Sequence, residues 1–272
     1  MRESCDWDDV VKSSSFARFH TLGRGLWRLS RPLGTFGLPV WPEIPGRFHR
    51  YFSEWRQFRT QGGVASFSDL APCLFDADPS TQSGGGHYFY QDVWALRHVA
   101  SQLPPVHHDV GSRLDGFVAQ ATAICPVVFW DLRAPCFQLP DFSFRKGSIT
   151  ELPLEDKALV SISCLHVADH IGLGRYGDPI DPLGTNKALL ELQRVLAPGG
   201  VLLFSMPVGR ERVEFNAQRI WDPRRPIEVL QELQLLEFSG VDDDGKFLQN
   251  TDPQQLINAK YGCGFYRFTR PT

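Results

Sequence analysis

The stretch that most limits how this chain can fold is His107-His108-Asp109-Val110-Gly111-Ser112-Arg113-Leu114-Asp115-Gly116-Phe117. Pro104 and Pro105 break what precedes it, the first residues read as the end of a β-strand, Gly111 marks a tight turn, and Phe117-Val118-Ala119 is helix-compatible. Two ligand classes use such a turn. A dinucleotide needs glycine where the backbone meets the pyrophosphate, and a helix N-terminus that favours an anion. Here Arg113 replaces the middle glycine, and Asp109 and Asp115 add negative charge. Those carboxylates repel a pyrophosphate and suit the ammonium and sulfonium of S-adenosylmethionine, which carries no phosphate. An ordinary strand-to-helix turn with solvated acids accounts for the same residues, because a lone glycine motif is weak.

The flanking segments alternate. Residues 90–103 put Val93, Leu96, Val99, Ala100 and Leu103 on one helical face. After the turn, strands are expected over 125–130, 142–145, 158–164 and 201–205, with a helix over 186–196 stopped by Pro198-Gly199-Gly200. Residues 235–241 and 264–269 supply two more strands, the last a candidate for antiparallel pairing. Strands alternating with helices mean crossover connections, so the expected core is α/β and Rossmann-like. It has a mainly parallel seven-stranded sheet with helices on both faces, and ligands bind beyond the carboxyl ends of the strands.

The run 77–86, Ala-Asp-Pro-Ser-Thr-Gln-Ser-Gly-Gly-Gly, is polar and glycine-rich and reads as a linker. It divides the chain into an appendage, 1–85, and the core, 86–272. From Ser13 to about Thr60 the appendage carries eight arginines against only Glu43 and Glu54, mixed with Phe16, Phe19, Trp27 and Trp41. Such a mixture covers the flank of a larger domain or makes peripheral contact with an anionic membrane surface. Residues 45–61 repeat aromatics at helical spacing and predict an amphipathic helix, making the appendage mostly helical.

Composition narrows the partners. A net charge of -3 gives no basic bias for nucleic acid. The six cysteines form no CxxC pair, and several sit in apolar runs, which predicts a reduced, cytoplasmic protein. No apolar run approaches the roughly 18 residues a membrane span needs, and the opening Met1 to Asp9 is too acidic and polar for a signal peptide.

Asp131 ends the second expected strand, at a spacing from Gly111 suited to accepting hydrogen bonds from ribose hydroxyls. After the third strand, Gly147-Ser148-Ile149-Thr150-Glu151-Leu152-Pro153 sets Ser148 and the backbone of Ile149 where an adenine ring would lie. This run, with 158–170 and Leu192-Gln193-Arg194-Val195-Leu196-Ala197-Pro198-Gly199-Gly200-Val201-Leu202-Leu203, resembles the class I S-adenosylmethionine-dependent methyltransferases. More narrowly, Asp109 to Phe117 together with His170-Ile171-Gly172-Leu173-Gly174-Arg175-Tyr176-Gly177-Asp178-Pro179-Ile180-Asp181-Pro182 resembles an uncharacterised methyltransferase-like family known as DUF268. The resemblance covers roughly residues 88–268. It implies that Asp109, Gly111 and Ser112 wall the methionine moiety, Asp131 holds the ribose, Ser148 and Ile149 contact adenine, and Leu165 with His166 lines the site. The class pattern, acid-x-Gly-x-Gly-x-Gly, is kept at Asp109 and Gly111 and lost at Arg113 and Asp115.

Methyl transfer from a sulfonium is an in-line displacement that positioning and desolvation can drive. An acceptor hydroxyl gains from a general base, and His166 and His170 stand where one is needed. Either histidine can equally bond loop backbone. Their spacing of four invites a metal reading, but the glutamate of a zinc-protease helix is missing, so no metal is expected. The loop 172–184 offers Arg175, Tyr176 and Asp178 to a small hydroxylated acceptor such as a saccharide, or simply shields the cofactor. The expected activity is therefore O-methylation with S-adenosylmethionine. Its rivals are a non-catalytic scaffold on the same fold and a nucleotide-dependent oxidoreductase.

Overall fold

The computed structural model describes residues 44–72, 74 and 85–272. The chain divides into two compact units, Met1–Ser83 and Gly84–Thr272. In the first, α1 (Ile44–Thr60) carries Phe48, Tyr51, Phe52 and Trp55 at the spacing of one helical stripe. The chain then turns back, so that Trp55 Nε1 donates to the Ala65 carbonyl at 3.2 Å and its ring meets Phe67 edge-on at 6.4 Å. Most of the arginine- and aromatic-rich run lies outside the described residues. Among the described residues no helix is long and apolar enough to cross a membrane.

The second unit begins with α2 (His87–Gln102) and β1 (His107–Val110). The helix expected after the glycine turn is a π-helical turn, Leu114–Val118, running into the one-turn α3 (Ala119–Ala121). There follow β2 (Val127–Asp131), β3 (Phe142–Lys146), β4 (Leu159–Leu165) and α4 (Gly184–Val195). The chain continues through β5 (Leu196–Val208), β6 (Arg212–Glu214), β7 (Gln218–Ile220), α5 (Arg225–Val229), β8 (Gln234–Val241), β9 (Phe247–Leu248) and β10 (Gly262–Thr269).

Eight strands form one sheet in the order β3-β2-β1-β4-β5-β10-β8-β9, and β6 and β7 form a separate hairpin. The pairs from β3 through β5 are parallel, whereas β10 runs antiparallel to β5 and β8. The seven expected strands are present, and the eighth is the short edge strand β9.

Alternation along the strands explains why both faces are covered. Leu202, Phe204, Met206 and Val208 of β5 point to one face with Ala188, Leu189, Leu192 and Val195 of α4. Leu203 of β5, Phe129 of β2 and Phe265 of β10 point to the other, under Trp94, Ala95 and Val99 of α2 and Ala121 of α3. A strand buried on both sides reads as a continuous apolar run, which is why Val201-Leu202-Leu203-Phe204 lacks polar alternation. Truncating a fully buried member such as Phe204 costs about 3–5 kcal/mol.

Candidate active site

The parallel half of the sheet ends in a cavity of ≈480 Å³, at the low end of the range that admits a small ligand. It opens beyond the carboxyl ends of β1, β2 and β4, where such sheets bind ligands. Gly111, Asp131, Ile149, Leu165, His166 and His170 all contribute to its wall.

The turn after β1 is set by an internal network. Asp109 is fully buried, and its carboxylate accepts from the Ser112 amide (3.0 Å), the Ser112 hydroxyl (2.7 Å) and the Ser163 hydroxyl. Ser112 Oγ in turn accepts from the Leu165 amide at 2.9 Å, tying the turn to the end of β4. Ser163 also meets His107 Nε2 at 2.9 Å, and Ser161 meets His107 Nδ1 at 2.7 Å. Burial keeps that imidazole neutral, its pKa pushed down to about 3. The expectation that Asp109 walls the methionine moiety is therefore corrected: it braces the turn from beneath and is absent from the cavity lining. The reason is strand geometry, since Asp109 shares a face with His107 and pairs with Ser163 across the sheet. Burial raises the Asp109 carboxyl to about 6, against the opposing pull of its three donors.

Gly111 has φ +72, and a Cβ there would lie 2.9 Å from Val167 Cγ1. Its amide donates to the Trp130 carbonyl, which fixes the crossing to β2. Arg113, at the lost glycine position, is exposed at the cavity wall, with Nε 2.6 Å from Asp115 and its guanidinium over the Tyr88 ring at 5.2 Å. Charge at this position is thus internally compensated.

Asp131 closes β2 with its side chain 14% exposed. It accepts from the Arg133 amide at 2.8 Å and its Nε at 3.2 Å. Ser148 lies on the cavity and bonds the Thr150 hydroxyl at 2.9 Å, with Ile149 beside it.

The two histidines differ. His166 leaves β4 with φ +56, its amide donating to the carbonyl (3.0 Å) and hydroxyl (3.1 Å) of Ser205, and its Nε2 lies 3.2 Å from Cys263 Sγ. His170 Nδ1 lies 2.5 Å from the Ala217 carbonyl, so Nδ1 carries the proton and Nε2 holds the free lone pair. Arg175 Nη1 donates to the same carbonyl at 3.0 Å, so its 3.3 Å approach to His170 Nδ1 is a contact between two donors. Burial lowers the pKa of both imidazoles, so both are neutral near pH 7. Between them, Asp169 is fully buried with neither oxygen hydrogen-bonded, and burial raises it to about 7.

The loop after His170 is tied down from within. Asp178 accepts from the amides of Gly172 (2.6 Å), Gly174 (3.3 Å) and Tyr176 (3.2 Å). Burial works to raise this carboxyl, but the amides together hold it below the ordinary value. Asp178 thus touches the cavity with its carboxylate already committed. Arg175 lies off the cavity, whereas Tyr176 lines it, half-exposed between the guanidiniums of Arg133 (4.9 Å) and Arg175 (5.2 Å). Sequence reading missed Arg219 of β7, buried, which donates to the carbonyls of Ile171 (2.5 Å) and Asp181 (3.1 Å) and pins the loop. It also missed Tyr88, Thr150 and Arg133 at the wall; the aromatic run His87-Tyr88-Phe89-Tyr90 after the linker is the only signal that points to any of them.

A parallel run β3-β2-β1-β4-β5 completed by β10, which is antiparallel to both β5 and β8, is the fold this chain shares with a solved methyltransferase. The N-methyltransferase NodS from Bradyrhizobium japonicum WM9, solved with S-adenosyl-L-homocysteine, is 16% identical with a TM-score of 0.50 over 73% of this chain and 94% of its own. A methyltransferase from Bacillus halodurans C-125 is 15% identical over 66% and 99% of the two chains, TM-score 0.47. A Haemonchus contortus phosphoethanolamine N-methyltransferase is 13% identical over 67% and 53%, TM-score 0.46. Residues 157–258 match the model of the family described as Caenorhabditis protein of unknown function, DUF268. No curated protein matches it.

Proposed function

We propose that the protein binds S-adenosylmethionine in this cavity and methylates an oxygen of a small hydroxylated acceptor. The observation that carries the reading is convergence: the Gly111 turn, Asp131, and Ser148 with Ile149 follow three successive strands and meet on one cavity. The fit is chemical as well. The turn leads into a π-helical turn and a three-residue helix, with Asp115 in the first turn, so a pyrophosphate finds no helix end to bind. A phosphate-free sulfonium has no such need.

Bound S-adenosylmethionine supplies an electrophilic methyl group. Asp131 would hold the ribose hydroxyls, its carboxylate having acceptor capacity beyond the bonds to Arg133. Ser148 and Ile149 border the adenine. His170 Nε2 would take the proton of an acceptor hydroxyl, and Nδ1–H on the Ala217 carbonyl keeps the tautomer that leaves Nε2 unprotonated for it. Leu165 and Val167 exclude water.

Calorimetric titration with S-adenosylmethionine and S-adenosylhomocysteine, with NAD as control, tests the reading. Micromolar binding of both sulfur nucleosides, lost in Asp131→Ala, is expected. Failure of the intact protein to bind either would sink it. A non-catalytic binding protein is the second reading, favoured by the exposed Arg113–Asp115 ion pair where the class has glycines; cofactor binding without turnover over a broad acceptor panel would select it.

A further inference from the structure

We propose that His87, His166 and Cys263 form a zinc site at the wall of the cavity. Three distant segments bring these residues together: the first turn of α2, the residue after β4, and the second residue of β10. Their ligand atoms all lie within 4.8 Å of one another. Zinc bonds of roughly 2.0–2.3 Å separate tetrahedral ligand atoms by about 3.3–3.8 Å, so modest side-chain adjustment closes the site. His166 Nε2 and Cys263 Sγ are already 3.2 Å apart.

The donor chemistry is specific. Two neutral imidazoles and a thiol that becomes a thiolate suit zinc and exclude magnesium or calcium, which take oxygen ligands. Binding replaces the thiol proton: Cys263 Sγ–H gives up H⁺ to solvent as the Zn–S bond forms, with no change of oxidation state.

The surroundings orient the ligands. His87 Nε2 meets the Tyr261 carbonyl at 3.2 Å, a backbone partner that orients the imidazole. His166 is held at φ +56, a backbone state rare outside glycine, by its amide bonds to Ser205. Cys263 and His166 are buried, while His87 is half-buried and gives an ion access. Three protein ligands leave one tetrahedral position for a water or an incoming substrate atom, the pattern of catalytic zinc. His166 also lines the cavity, so the metal sits beside the acceptor's route. The site stands on its own residues, whether or not the cavity binds S-adenosylmethionine.

The test is titration of the untagged, chelator-stripped full chain with Zn²⁺ and Co²⁺ against a chromophoric chelator. One equivalent is expected per chain, and the cobalt form should show a sulfur-to-cobalt charge-transfer band. Cys263→Ser should remove the band. His87→Ala, a change at the more accessible ligand, should weaken zinc by more than the roughly 10–100-fold that loss of an outer partner costs, with an unchanged circular dichroism spectrum. No stoichiometric uptake by the full chain, or uptake that the folded His87→Ala variant keeps undiminished, would overturn the site and leave a thiol–imidazole contact inside the core.

Discussion

At Gly111 two constraints coincide: a left-handed φ of +72 and Val167 Cγ1 2.9 Å from any added Cβ. Gly111→Ala should cost about 1–2 kcal/mol for the backbone state alone, with the clash added, and should abolish cofactor binding because the turn forms the wall. Thermal melts and calorimetry on the same variant check both. Asp109 makes a different prediction. Its folded pKa of about 6 exceeds the ordinary 3.8, so the native state holds a proton that the unfolded chain releases. Stability contributed by that proton is full below about pH 4 and is lost as pH rises through 6. The size is on the order of 3 kcal/mol. Asp109→Asn removes the titration, so the difference in unfolding free energy between variant and wild type should change across pH 4–6 in the variant's favour; a flat difference would mean that the three donors hold the carboxyl near its ordinary value. Strand pattern announces that His107 and Asp109 share a face, but nothing in the local sequence says that the facing residues are Ser161 and Ser163. That is why Asp109 reads as a ligand contact until the β1–β4 register is known.

At the scale of elements, the loop between His170 and α4 is held by groups from outside and inside it. Arg219 grips the carbonyls of Ile171, Asp181 and Pro182 and the Thr185 hydroxyl from β7, and Asp178 collects three loop amides. A lysine offers no planar fork, so Arg219→Lys cannot satisfy these acceptors together. It should raise amide hydrogen exchange over 171–183 and lower methyl transfer, while S-adenosylmethionine affinity stays within about threefold, since the proposed cofactor contacts follow β1, β2 and β3. Asp178→Ala should do the same. Equal loss of affinity and turnover in both variants would show that the loop also covers the cofactor. The sheet is legible where its strands are largely apolar runs buried on both faces, as in β2, β4 and β5. The hairpin β6–β7 is not, since three-residue strands bearing Arg212, Glu214, Gln218 and Arg219 carry no periodic signal. Yet that hairpin supplies Arg219 and the Ala217 carbonyl that orients His170. The cluster of His87, His166 and Cys263 is equally invisible, because its members are brought together by sheet order rather than spacing.

At the scale of the whole molecule, the buried members of both hydrophobic clusters, among the described residues, lie between Trp94 and Phe268, one cluster on each face of the sheet. Two clusters built within Gly84–Thr272 predict that this segment folds alone. Among the described residues, every one lining the cavity also belongs to it. A ligand that binds only the folded state adds about 2.7 kcal/mol at 100 times its dissociation constant. For a unit of this size that corresponds to a rise in Tm of roughly 5–10 °C. The segment 84–272 and the full chain should therefore show the same S-adenosylmethionine-dependent shift, with none from NAD. A shift in the full chain that the segment lacks would mean that residues 1–83 help to build the site, and that the appendage acts on the cofactor instead of elsewhere. A segment that fails to fold would place part of the core's packing in those first residues, and the two units would have to be treated as one thermodynamic body.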